Sequence, residues 1–440
     1  MGAPRPTTPA ELLRQLIRFD TTNPPGDEGP CLEYVRGLFA AGGAGVDCRT
    51  LESPGGRPNL IVRVAGRGEA PPLLMQGHVD VVTTAGQGWT HPPFGGDLIK
   101  GWVWGRGALD MKSGVAMMVC ALLGCLRRGD LPAGDVVLCC LADEEAGGAH
   151  GAQFLVERHP ELFAGIRHGL GEGGATTQHL NGRPFYPIMV AEKRACRLRV
   201  TLRGPGGHAS RSHRGGTMAR LGEMLRALDG HRLPVHVTPV AADYVRGIAA
   251  DTPEPERSRL LGLLDPRQTD AVLDAMGDEA GRFDPILHHT INATIVRAGE
   301  KVNVIPSVAT VDLDGRMLPG FEPEEFIAEV RTVIGGEPEV EVLGSGPRLK
   351  ESERGPLYDL LCTVLRELEP AAVPVPLLMT GATDQRHFAR LGIEGYGYLP
   401  LRLPPGFGQE TVHAADERVP AAALDFGTEA LTRVLRRYRG

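Results

Sequence analysis

The sequence has no Cys-x-x-Cys pair, although it carries eight cysteines, at 31, 48, 120, 125, 139, 140, 196 and 362. Most of them lie inside apolar segments, so they are expected to be buried free thiols of a reducing compartment. Long apolar runs are also missing. The longest, Val115 to Leu126, is too short to span a bilayer, and the charged, proline-broken N-terminus lacks the apolar core of a signal peptide. Basic runs are absent as well: 47 Lys and Arg stand against 54 Asp and Glu, a net charge of -7. No nucleic-acid or membrane partner is therefore expected. Neither His-Glu-x-x-His nor Gly-x-Ser-x-Gly occurs, which removes the commoner zincin and serine-hydrolase chemistries. What remains is a cytoplasmic chain whose ligands are small acids or neutral solutes. Its 440 residues suit two domains better than one core.

Thr8, Pro9 and Glu11 form a capping box with proline at the first helical position, and Leu12 with Leu16 and Leu13 with Ile17 then stack on one face. Strands are expected near Leu60 to Val64, Leu73 to Met75 and Val136 to Leu141, alternating with helices around Cys31 to Ala41 and Ser113 to Arg127. The strands are continuous apolar runs, the pattern of a mostly parallel sheet covered by helices on both faces. From Ala195 the character changes, because Cys196 to Leu202 alternates with period two, as in a sheet with one wet face. A helix over Met218 to Leu228, strands at Thr290 to Val296 and Ala309 to Leu313, and a helix over Glu322 to Val333 complete an α+β, ferredoxin-like sandwich. The stretch 241 to 285, rich in proline and charge, has only short helical patches and no assigned place. Leu357 to Leu368 and Gly395 to Leu399 return to the first domain. The expected fold is α/β, with a catalytic domain over 1–192 and 349–440 and an inserted domain over 193–348.

The chemistry-bearing residues cluster at strand ends. His78 and Asp80 follow Leu73-Leu74-Met75-Gln76, Asp143-Glu144-Glu145 follows Val136 to Leu141, Glu172 lies in Gly171-Glu172-Gly173-Gly174, and His413 lies in Thr411 to Glu417. Asp110 sits in the glycine-punctuated loop Gly105 to Gly114. One aspartate can bridge two cations about 3.5–4 Å apart. His78 and Glu172 would then serve one ion and Glu145 and His413 the other, with Asp110 shared. Two zinc ions suit this mixture of imidazole and carboxylate, with cobalt or manganese as substitutes. Three carboxylates leave a surplus of one positive charge, which favours a bound hydroxide. Asp80 is expected to hold the far ring nitrogen of His78, and Glu144, beside a ligand but facing the water, to act as general acid/base. Taken singly, His-x-Asp is an ordinary hydrogen-bonded pair and Asp-Glu-Glu a solvated turn; their joint occurrence at one sheet edge makes the case. Gly204-Pro205-Gly206-Gly207-His208-Ala209 imitates a dinucleotide fingerprint, but the strand before it alternates and no acid closes the strand expected near Pro234 to Val240.

The chain also resembles the dizinc hydrolases that include aminoacylase, acetylornithine deacetylase, succinyl-diaminopimelate desuccinylase and the glutamate and vacuolar-type carboxypeptidases. The resemblance runs through Phe19 to Pro25, Gly77 to Val82, Gly105 to Lys112, Asp143 to Glu145, Gly206 to Ser210, Lys301 to Pro306, Arg316 and Gly381 to Asp384. It implies the same five ligands, with Glu144 as base and Asp80 as orienter. It further implies that His208 hydrogen-bonds the reaction oxyanion, that Asn303 and Arg316 contact substrate, and that the loop at Gly381 and Thr383 supplies backbone donors to a substrate carboxylate. The inserted domain would be a lid that pairs two copies. The long 241 to 285 stretch and Gly-Ala-Thr-Asp-Gln-Arg-His-Phe point to the carboxypeptidase and acyl-amino-acid hydrolase branch, whose substrate is an N-acyl amino acid or short peptide. A biosynthetic deacylase for acetylornithine or succinyl-diaminopimelate, and a non-catalytic binding protein for a small acid, are the alternatives.

Overall fold

Four of the apolar or glycine-rich segments, Leu73–His78, Val136–Leu141, His168–Gly171 and Glu394–Gly397, form the parallel centre of a nine-stranded sheet. The computed structural model describes residues 8–40, 45–408 and 410–440, and these divide into two units. One comprises the chain up to Val190, Ser352–Leu377 and Thr383–Gly440; the other comprises Ala191–Glu351 and Leu378–Ala382.

In the first unit, Leu73–His78 and Val136–Leu141 are buried along their whole length, as strands covered on both faces must be. Val46–Ser53 and Arg57–Val64 extend the sheet antiparallel on one side; on the other, Arg183–Glu192 joins antiparallel, with Gln178–Leu180 paired to it, and is followed by Val373–Met379. Ile61, Leu74, Val137, Cys139 and Leu141 pack one face against Leu155, Phe163 and Phe388. The helix Lys112–Arg128 is buried on nearly every side and packs against Pro9–Ile17 and Ala421–Arg437. The first helix begins as its sequence predicts: Thr8 Oγ1 accepts from Glu11 N and Glu11 Oε2 accepts from Thr8 N, both at 3.2 Å. The next helix is Gly29–Phe39; Ala41, where it was expected to end, lies outside the described residues. All eight cysteines are free, and six are buried.

Parallel pairing brings the carboxyl ends of the central strands to one edge, the place where an open α/β sheet binds its ligands. His78 is the last residue of its strand, Glu144 and Glu145 follow Leu141 by three and four positions, and Glu172 follows Gly171 directly. The glycines around Glu172 are there for backbone proximity. A Cβ on Gly174 would come within 2.5 Å of the Gly397 carbonyl, and one on Gly171 would run into the Gln76 side chain.

The second unit is built on a four-stranded antiparallel sheet in the order Thr290–Ala298, Val308–Met317, Arg194–Arg203, Glu339–Ser345. Its core takes alternate residues of the central strand, Cys196, Leu198, Val200 and Leu202, against Leu221, Met224, Phe326 and Val330 of the helices Thr217–Gly230 and Pro323–Ile334. Gly315 is required there, because a Cβ would collide with the Phe326 ring and the Cys196 carbonyl. Two expectations are corrected. The alternation of Thr290 to Val296 predicts a buried face, yet this outermost strand is exposed from Asn292 to Arg297. Pro234 to Val240 is not a strand: Thr238 Oγ1 accepts from Ala241 N and caps the helix Pro239–Ala250. The stretch that sequence left unplaced folds as that helix followed by Glu256–Gly262 and Thr269–Met276.

Candidate metal centre

His78 is fully buried. Its Nδ1 lies 2.9 Å from the Asp80 carbonyl, and a carbonyl only accepts, so Nδ1 carries a proton, and whenever the ring is neutral its Nε2 turns a lone pair outward. That lone pair faces Asp110 Oδ1 at 3.1 Å and Glu172 Oε2 at 3.5 Å. A second triad shares the same aspartate: His413 Nε2 lies 3.1 Å from Asp110 Oδ2 and 3.3 Å from Glu145 Oε2. Each oxygen of Asp110 thus addresses one imidazole, and the ligand-type atoms of each triad lie within 4.8 Å of one another. Glu145 Oε1 is buried with no hydrogen-bond partner.

Burial works against a charge on His78, yet Asp110, Asp80 and Glu172 hold its pKa well above the ordinary value. Asp110 and Glu145 push His413 up to about 10, and against its own burial Asp110 is lowered by His413 and His78. Lone pairs and negative charges pointed at one another in this way need positive charge between them, either protons or cations. The donor set of two imidazoles and three carboxylates suits divalent zinc, cobalt or manganese.

Glu144 belongs to neither triad. Burial and the charge of Glu172 raise its carboxyl well above the carboxylate range, and Arg386 Nη1 stands 3.9 Å from its Oε1. The loop that carries it is held by Asp80, whose Oδ1 accepts from Glu144 N at 3.1 Å and whose Oδ2 accepts from Glu145 N at 3.2 Å and from Asn23 Nδ2 at 2.9 Å. The Asp80 carboxylate is 3.5 Å from His78 Nδ1, farther than its own backbone carbonyl. Asp80 thus stands at the Nδ1 edge of His78 with both its backbone carbonyl and its carboxylate, while the carboxylate also holds the acidic loop. Asp143 and His413 both adopt positive φ, 69° and 59°, conformations that non-glycine residues keep only where surrounding contacts enforce them.

The first unit also places Thr383, whose Oγ1 accepts from Gln385 N at 3.1 Å. The second unit holds His208, Asn303, Arg316 and Gly381. His208 is exposed, and Ser210 N donates to its Nδ1 at 3.2 Å, so the ring proton sits on Nε2 and points away as a donor. The neighbouring strand pairs His208 with Val304, and the Asn303 carbonyl accepts from Ala209 N. Arg316 is engaged with Asp314 through Nε at 2.6 Å and Nη2 at 3.1 Å.

Three residues went unassigned in the sequence. Asp384 is buried with neither carboxylate oxygen hydrogen-bonded, and burial raises it to about 8. Arg386 and the buried Glu417 are the others. Both acids stood in motifs already noted, but sequence gives no sign of which acid in a run turns inward. A further grouping in the second unit, His236, His289 and Glu329, has ligand-type atoms but the wrong proton. Leu318 N donates to His289 Nδ1 at 2.9 Å, which leaves Nε2 protonated and facing Glu329 as a donor.

Residues 74–437 match the profile of peptidase family M20/M25/M40. A succinyl-diaminopimelate desuccinylase of Paracoccus denitrificans is 31% identical over 98% of both chains. A probable carboxypeptidase S-like protein of Dictyostelium discoideum is 26% identical over 79% of this chain and 68% of its own. The M20 family metallo-carboxypeptidase Sso-CP2 of Sulfolobus solfataricus superposes with a TM-score of 0.69 at 16% identity, covering 97% of this chain and 98% of that one.

Proposed function

The chain belongs to peptidase family M20/M25/M40, whose members are hydrolytic and typically metal-dependent, and from that premise we propose a two-zinc amide hydrolase. Its substrate would carry a free carboxylate beside the scissile bond, as an N-acyl amino acid or a peptide C-terminus does. The observation that carries this reading is Asp110 with one oxygen turned to each imidazole. His78, Asp110 and Glu172 would hold one cation, and Asp110, Glu145 and His413 the other. When bound, the pair supplies Lewis acidity toward the amide carbonyl and the attacking water.

Glu144, outside both triads and next to Glu145, takes the water's proton on a carboxylate oxygen and passes it to the departing nitrogen. Asp80 fixes the loop from which it does so. His208 Nε2–H supplies the donor to the developing oxyanion. Arg316, with one edge of its guanidinium on Asp314, keeps the end-on nitrogens for a substrate carboxylate, joined by Asn303 and by the backbone around Gly381 and Thr383. The second unit is proposed as the lid through which two copies pair. Among the described residues no helix is long and apolar enough to cross a membrane, which accords with a cytoplasmic enzyme.

Glu144→Ala is expected to lower kcat by about 10²–10⁴ while metal content stays at two per chain; retained turnover would refute the role. A second reading, a desuccinylase, is favoured by the end-to-end match at 31% identity. Succinyl-diaminopimelate tested beside N-acyl amino acids, dipeptides and their carboxyl-amidated forms separates the two. Indifference to amidation would reject the carboxylate requirement common to both.

A further inference from the structure

Four residues beyond His413 lies a fully buried carboxylate, Glu417, whose four hydrogen bonds run to the loop that carries Asp110. Its Oε1 accepts from Leu109 N at 2.6 Å and Asp110 N at 3.0 Å, and its Oε2 accepts from Gly107 N at 3.0 Å and Arg106 Nη1 at 2.7 Å. Arg106 passes the connection on: its Nη2 donates to Gln87 Oε1 at 2.8 Å, and Gln87 Nε2 donates to the His413 carbonyl at 2.9 Å. Thr90 closes the far side through Asp416, by backbone at 2.7 Å and hydroxyl at 2.6 Å.

We propose that Glu417 is the positioning residue that locks the bridging aspartate and the His413 segment into one rigid piece, and that it thereby sets the affinity of the His413 cation position. The inference rests on the metal-centre reading above and goes beyond it by making the two positions unequal. His78 ends a fully buried strand and Glu172 follows another, so the sheet holds that pair without help. Glu145 sits in a short 3-10 turn and His413 in a loop at positive φ, so this pair depends on contacts made by side chains. Both oxygens of Glu417 face N–H donors. A glutamine there must turn its NH2 toward one pair of donors, which expels the loop from its place.

Cobalt(II) titrated into metal-stripped protein tests this, with binding followed by its visible absorption. Wild type should take up two equivalents. Glu417→Gln should weaken one of them by about ten- to a hundredfold, the usual cost of losing a partner that orients a ligand, and change its spectrum, while the other equivalent stays near wild type. Glu417→Asp, which keeps the charge, should recover part of the loss. Wild-type affinity and spectrum in Glu417→Gln would overturn the proposal, as would an equal weakening of both equivalents accompanied by a lower melting temperature of the metal-free protein. If Glu417→Gln does not fold, the half-buried Gln87→Ala must show the same one-sided weakening, and wild-type binding there overturns it. Cobalt uptake by a wild type that cleaves no amide would sink the hydrolase reading and leave this one standing; no uptake at all would sink both.

Discussion

Each unit contains an aspartate clasped by two nitrogen-bearing side chains, and the two clasps do different work. In the second unit Asp312 receives Arg199 across the strand pair, Nε at 2.7 Å and Nη2 at 2.9 Å, together with Arg297 Nη1 at 2.9 Å. Arginine cannot release its proton, so every contact is a donor meeting an acceptor and the arrangement is complete as it stands. In the first unit Asp110 meets His78 and His413, whose Nε2 atoms can give up a proton and become acceptors. Each Nε2 stands 3.1 Å from an Asp110 oxygen, and once its proton leaves, only a cation can take that place between two acceptors. The same carboxylate is a cross-strand brace in one unit and, on the proposed reading, a ligand bridge in the other, and the difference lies in what its neighbours can give up.

The sharpest break of that comparison is the matched pair Asp110→Asn and Asp312→Asn. The first should abolish uptake of both cation equivalents, measured by elemental analysis, with little change in melting temperature of the metal-free chain. The second should leave cation content untouched and lower only the thermal stability. Next in size, Leu198→Ala removes a fully buried side chain from the second unit's core and should cost about 2–5 kcal/mol. Denaturant unfolding should register that loss while cobalt uptake by the first unit is retained. Arg316→Ala should raise KM for carboxylate-bearing substrates by about ten- to a hundredfold, the worth of charged hydrogen bonds, and leave KM for amidated analogues unchanged.

The smallest expected effect concerns His289. Burial, with His236 and Lys193 nearby, lowers it to about 3, whereas an unfolded histidine titrates near 6.5. Between those values the unfolded chain binds the proton and the folded one does not, so stability falls as pH drops through that window. Melting temperatures of His289→Leu and wild type should therefore draw together, or cross, from pH 6.5 toward pH 4; parallel curves would contradict the assignment.

Legibility in the sequence followed local physics. The capping box at Thr8 and the alternation from Cys196 to Leu202 each depend on residues a few positions apart, and both appear where expected. Arg183–Glu192 was missed although buried for nine of its ten residues, because Pro184 and Pro187 argue against a strand in any reading that cannot see its partners Glu394–Gly397 and Gln178–Leu180. The closing helix Ala421–Arg437 was missed too, its apolar face diluted by alanine. At the candidate centre, sequence supplied the ligand types, since histidine and acid after apolar strands are visible in one dimension. It could not supply Glu417 or the hold of Asp80 on the acidic loop, because backbone amides carry no letter of their own.

His413 and Asp110 are separated by 303 positions, and a whole second unit is threaded between them. A nascent chain therefore carries His78 and the aspartate long before the second imidazole leaves the ribosome. Until residue 413 emerges, the candidate site has one of its two imidazoles. Completion of the centre thus waits for the far side of the insertion, and a chain cut short before residue 394 would lack the second imidazole together with Glu394–Gly397, one of the four central parallel strands.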